Sequence, residues 1–227
     1  MKLKAELAQL PAGQGVRILA TDPGFSADVA GWCHSTGNQL AGLTHEGGTI
    51  AATVVRRDLA EAIPCSGPRT ESKHKTIVLF SGDFDKAMAA FIIANGAAAM
   101  GSAVTIFFTF WGLNVLRRSE KVAVRKNLIE RMFGWMMPRG AGKLTLSRMN
   151  MVGVGTAMIK GIMKKKNVST LAGLIESARA AGVRLVACTM SMDLMGIHKE
   201  ELLDGVEAGG VAMYLDQAEA GNVNLFI

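Results

Sequence analysis

The chain has 227 residues, 49% of them apolar and 19% charged, with only 5 prolines and 3 cysteines. These figures exclude a disordered chain, a collagen-like repeat and a disulfide-stapled miniprotein, and the length suits one full domain plus a smaller module. The formal charge of +6 is concentrated: residues 117–166 hold thirteen basic and two acidic side chains, whereas 167–227 hold three basic and eight acidic.

Residues 2–10 read as an amphipathic helix with Leu3, Leu7 and Leu10 on one stripe, stopped at Pro11-Ala12-Gly13. The segment has neither the apolar core nor the small-residue cleavage site of a secretory signal. A strand follows at GVRILATD, then a turn at Asp22-Pro23-Gly24, then a helix from Phe25 to Thr36 capped by Ser26 or Asp22 and ended by Gly37. NQLAGLTHE and GTIAATVVRR read as strands joined at Glu46-Gly47-Gly48. These elements make a small α/β module over residues 1–57. Residues 58–74, with two prolines, a glycine and mixed charge, read as a linker.

The second unit spans 75–227. KTIVLFSG is a buried strand, Asp83 to Met100 a helix, and AVTIFFTFW the next strand, a right-handed crossover in a parallel sheet. The uncharged run from Ala87 to Leu116 is long enough to span a bilayer, but Asn95, Gly96, Gly101 and Ser102 interrupt it, so helix, turn and strand explain it better. A basic, Met-rich insertion fills 117–166. Ser169 to Ala181 is a helix capped by Ser169 or Thr170, VRLVAC a strand, HKEELLDG a short helix, GVAMYLDQAEAG a helix and VNLFI a last strand. The expected fold is a flavodoxin-like, doubly wound parallel sheet preceded by a two-layer α/β module.

Reacting groups in open parallel sheets sit beyond the carboxyl ends of the strands. Cys188 ends VRLVAC and precedes the polar stretch Thr189-Met190-Ser191-Met192-Asp193, read as a turn. Backbone N–H groups and a helix N-terminus in such a place favour a thiolate, the nucleophilic form of cysteine. The competing reading is a buried cysteine filling a strand end. Cys33 lies mid-helix beside Trp32 and reads as packing, and Cys65 falls in the linker. Ser81 and Gly82, at the end of the first strand of the second unit, and Met149 and Met151 of the insertion are further candidates to line the site. No CxxC pair, metal-ligand spacing of His34, His45, His74 and His198, dinucleotide fingerprint or Walker motif is present, so neither metal nor cofactor is expected. Charge interleaved with Met and Gly, and only 6% aromatic residues, argue against nucleic acid. The insertion is read as a Met-rich core with a basic rim, a flap over Cys188, a docking surface for an acidic partner, or an interfacial membrane element, the last not favoured.

KTIVLFSGDFDKAMAAFIIANGAAAMG, MFGWMMPRGAGKLTLSRMNMVGVGTAMIKGIMKKKNVSTLAGLI, VACTMSMDLMGI and GVAMYLDQAEAGNVNLFI together resemble the DsrE/DsrF-like family, in its single-chain branch with a Met-rich insertion. That resemblance implies a flavodoxin-like fold, homo-oligomers and a cytoplasmic sulfur relay in which a cysteine carries a persulfide, with Cys188 at the position of that cysteine. GVRILATDPGFSADVAGWCHSTGNQLAGLTHEGGTIAATVVRR resembles a TusA-like sulfur carrier. It is expected to be N-terminally truncated, since the CPxP motif that should precede the first helix is missing and Met1 reads as an internal residue of a longer frame. The resulting expectation is a sulfurtransferase or sulfur carrier, with a partner protein bearing a thiol or persulfide. Its alternatives are a thiol-dependent peroxidase-like protein and a non-catalytic binding module.

Overall fold

The computed structural model describes residues 2–21, 25–57 and 74–227. The Asp22-Pro23-Gly24 turn, Cys65 and all of the 58–74 linker except His74 lie outside them. The described residues belong to two units.

In the first unit, α1 (Lys2–Gln9), β1 (Gly15–Ala20), α2 (Phe25–Thr36), β2 (Gln39–Glu46) and β3 (Thr49–Val55) follow the order that the apolar spacing predicts. The sheet order is β1-β3-β2, with both pairings antiparallel and a bulge between Leu40 and Gly42. Leu7 of α1, Val29 and Cys33 of α2, and Ala52 and Val54 of β3 form the core, with Trp32 packed beside them. Ser26 lies inside α2, so it is not the cap. Burial pushes the Cys33 thiol up, which keeps it protonated and inert as a packing group.

The second unit contains β4 (His74–Leu79), α3 (Phe84–Ala99), β5 (Ala103–Phe108), α4 (Leu128–Met136), α5 (Val154–Lys165), α6 (Leu171–Ala180), β6 (Arg184–Cys188), α7 (Thr189–Met195), β7 (Glu207–Gly209), α8 (Val211–Glu219) and β8 (Gly221–Phe226). Its five strands lie in the order β7-β6-β5-β4-β8, all parallel. Side chains alternate across the sheet. Ile77, Leu79, Ile106, Phe108, Leu185 and Ala187 meet α3 and α6 in the main core. Phe107, Val186 and Cys188 point the other way, against Met213 and Tyr214 of α8. Helices therefore cover both faces, the doubly wound α/β arrangement expected from the sequence.

The structure corrects four boundaries. β5 stops at Phe108, because Phe110–Leu116 coils into a 3-10 segment whose apolar side chains mimic a continuing strand. HKEELLDG forms only a 3-10 turn at Lys199–Glu201. The stretch after Cys188 is helix α7 rather than a turn. The three-residue edge strand β7 is too short and too poor in β-branched residues to be read in advance. Thr170, not Ser169, caps α6, its hydroxyl accepting from the Gly173 N–H at 3.1 Å. The insertion is not a loose flap, since Met137 and Leu144 are part of the main core. Among the described residues, no helix is long and apolar enough to cross a membrane.

The Phe110–Leu116 segment lies against the carboxyl end of β4. The Gly112 N–H donates to the Phe80 carbonyl at 2.9 Å, and a Cβ on Gly112 would stand 2.0 Å from the Leu79 oxygen. Gly112→Ala must therefore push this segment off the strand end. We expect a loss of about 3 kcal/mol, at the upper end of ordinary overpacking, readable as a lower denaturation midpoint.

Candidate functional site

Cys188 is the last residue of β6, paired to β7 at Gly209, and is also the N-cap residue of α7. Its side chain makes no capping hydrogen bond. Strand alternation instead turns the side chain to the α8 face, where the residue is 2% exposed and packed with Phe107, Val186, Met213 and Tyr214. The Tyr214 ring stands 5.3 Å from that of Phe107, tilted by 37°. Gly209 leaves room for this packing: a Cβ there would lie 2.4 Å from Met213 Sδ and 2.8 Å from Val186 Cγ1. Cys188 thus sits in a thioether- and aromatic-lined enclosure.

The cover over the sulfur is lightly held. None of the residues of α8 is buried. Two polar contacts tie it to the sheet: Arg184 Nη1 donates to Gln217 Oε1 at 3.3 Å, and Asn224 Nδ2 donates to the Ala218 carbonyl at 3.1 Å. Arg184 is itself fixed by a fork of bonds to Glu207 at 3.1 and 2.7 Å, which raises the guanidinium's pKa and holds the Glu207 carboxyl below the usual range. An element with few buried contacts opens at lower cost than the core it covers.

The residues after Cys188 divide by helical periodicity. Ser191 and Met192 point inward, while Thr189, Met190 and Asp193 are exposed. Ser191 Oγ and Thr109 Oγ1 share a 2.8 Å hydrogen bond that ties α7 to the end of β5, and Met192 joins the main core. Ser81 and Gly82 lie beyond β4, with β5 between that strand and β6. At the usual strand spacing this is roughly 10 Å away. Ser81 Oγ donates to Asp83 Oδ2 at 2.8 Å, and Gly82 backs onto Trp111. Met149 and Met151 are exposed, both with positive φ, in the loop that leads to α5. Neither these methionines nor Ser81 and Gly82 are among the residues packed on Cys188. The residues that do enclose it, Phe107, Met213 and Tyr214, escaped the sequence reading; the signal that could have found them is the alternation shared by Phe107, Val186 and Cys188.

A model of the DsrE/DsrF/DrsH-like family matches residues 71–226. The chain belongs to this family. A model of the sulfurtransferase TusA matches residues 1–57, so a TusA domain stands ahead of the DsrE/DsrF/DrsH-like one. The uncharacterized protein YrkE of Bacillus subtilis is 62% identical over 157 residues, 69% of this chain and 98% of that protein. The sulfur carrier protein DsrE2 of Allochromatium vinosum is 37% identical over 161 residues, 69% of this chain and 99% of that protein. The crystal structure of YchN from E. coli aligns with 68% of this chain and 99% of its own, at 13% identity and a TM-score of 0.40. The chain is thus a member of a sulfur-carrier and sulfurtransferase family.

Proposed function

We propose that the protein holds sulfane sulfur as a persulfide on Cys188 and passes it to an acceptor thiol in the cytoplasm. The observation that carries this reading is the place of Cys188: a free cysteine at the carboxyl end of a parallel strand, enclosed by Phe107, Met213 and Tyr214, in a chain of a sulfur-carrier family. The Cys188 thiolate attacks the outer sulfur of a donor persulfide. One S–S bond forms as the donor's S–S bond breaks, and the donor leaves as a thiolate that takes up a proton. In the second transfer the acceptor thiolate attacks the outer sulfur and Cys188 is the leaving thiolate, so no external oxidant or reductant is consumed. The apolar enclosure supports the reading because it would keep the persulfide away from water and stray thiols.

In this proposal residues 1–57 form the TusA-like module, 58–74 a linker and 75–227 the sulfur-carrying domain, working as a homo-oligomer with a thiol- or persulfide-bearing protein partner. Intact-mass analysis after polysulfide treatment tests it. A chain with Cys33→Ala and Cys65→Ala should still gain sulfur, and Cys188→Ser should gain none under the same brief exposure. Equal loading of Cys188→Ser would remove Cys188 from the proposal.

A further inference from the structure

We propose that a groove between α4 and the two stretches 121–126 and 137–145 binds the phosphate groups of an organic phosphate. The groove encloses about 970 Å³, within the size range of small-molecule sites. Six of its lining residues are cations, Lys121, Arg125, Lys126, Arg131, Arg139 and Lys143, and among the described residues no acidic one lines it.

Two of the lining cations, Lys126 and Arg139, belong to a buried cluster in which positive charge is in surplus. Glu201, with 0% exposure, faces Arg139 Nη2 at 3.1 Å and Arg117 Nη2 at 3.4 Å and also pairs with Lys126, one carboxylate against three cations. Gly134 lies above this cluster, a Cβ there standing 3.7 Å from Lys126 Nζ and 4.0 Å from Arg117 Nη2. Arg139 Nη1 and Arg117 Nε are buried and have no hydrogen-bond partner among the described residues. Buried cationic donors in surplus over their carboxylate favour a multiply charged anion, and guanidinium forks fit phosphate oxygens. The remaining wall is apolar. Val122, Val124 and Met136 line it with Trp135, which is 84% exposed and offers an aromatic face. A bare inorganic anion would leave that wall unused, so the geometry points to a phosphate ester, soluble or in a phospholipid headgroup.

The groove shares no lining residue with the enclosure of Cys188 and goes beyond the sulfur-carrier reading. Calorimetric titration of the full chain with phenyl phosphate, a soluble ester with an aromatic group for the apolar wall, and sedimentation with phosphatidylcholine vesicles with and without phosphatidic acid, test it. Arg131→Ala with Lys143→Ala removes two exposed cations of the groove and should weaken binding tenfold or more, as losing hydrogen bonds to charged groups implies. Lys165→Ala with Lys166→Ala, on the exposed end of α5, should leave it unchanged, as should Cys188→Ser. Phenyl phosphate binding that follows this pattern assigns a soluble phosphate ester, and binding to phosphatidic acid vesicles alone, with the same pattern, assigns a headgroup. Binding of neither probe, or equal weakening by both double variants, overturns the proposal.

Discussion

Glu201→Gln is expected to destabilise the second unit by about 3–5 kcal/mol, the cost of leaving buried charge without its partner. Glu201 is the carboxylate that Arg117, Lys126 and Arg139 share, and it holds together the segment beginning at Arg117, the Lys126 and Arg139 side chains, and the turn at residues 198–202. In the variant three cations would share a neutral amide. Burial pushes the Glu201 carboxyl up, but Lys126, the His198 backbone N–H and Arg117 outweigh it and hold the group below the usual carboxylate range. Its ionised form is thus favoured in the native state. That contribution is complete above the unfolded-chain value of about 4.3 and is lost as pH falls through the lower native value. The native protein should lose stability on acidification below about pH 4, and Glu201→Gln should lose less over that interval because it has less to give up. Denaturant titrations at neutral and acid pH measure both effects. Arg117→Gln added to Glu201→Gln should recover part of the loss, since it removes one of the stranded cations; strict additivity would show that the pair is not coupled.

This network explains the limits of reading the chain unaided. The surplus of basic residues in 117–166 is plain in the sequence, but its partner Glu201 is 84 residues from Arg117, in a stretch read as a short helix. Fully buried charge leaves no local pattern, because the residues that neutralise it come from elsewhere in the fold. The alternation of strand and helix, by contrast, is written locally. KTIVLF and VRLVAC are apolar runs bounded by turn residues, and α3 between β4 and β5 is long and Ala-rich, so the parallel sheet and the strand end carrying Cys188 follow from the sequence. What does not follow is the side of the sheet to which Cys188 turns. Flanking polarity suggested a turn and a sulfur facing the N–H groups of a helix start, whereas alternation from Val186, the partner of Phe107, and the pairing with Gly209 turn the sulfur under α8. A shift of one residue would have put it in the main core.

That enclosure sets a condition for any transfer chemistry. A cysteine 2% exposed meets no partner unless its cover moves, and the cover is α8, which has no buried residue of its own. Tyr214→Ala removes the ring that packs on Phe107 and reduces the contact between α8 and the sheet while leaving the main core untouched. Loss of such an aromatic pair contributes about 0.5–1.5 kcal/mol beyond the area it uncovers. If reagents reach Cys188 only through opening of α8, each 1.4 kcal/mol taken from the opening cost raises the modification rate about tenfold. Alkylation of Cys188, followed by peptide mass analysis under native conditions, should therefore accelerate about tenfold in Tyr214→Ala. Cys33, buried in the other unit, should keep its native rate. An unchanged Cys188 rate would mean that the thiol is reached by a route that leaves α8 in place. An equal acceleration at both cysteines would mean global unfolding rather than a moving cover. With the expected pattern, loading by polysulfide should accelerate in the same variant, and the persulfide, once formed, should be lost faster to added thiol, because the helix that delays entry of the donor also delays attack by the acceptor.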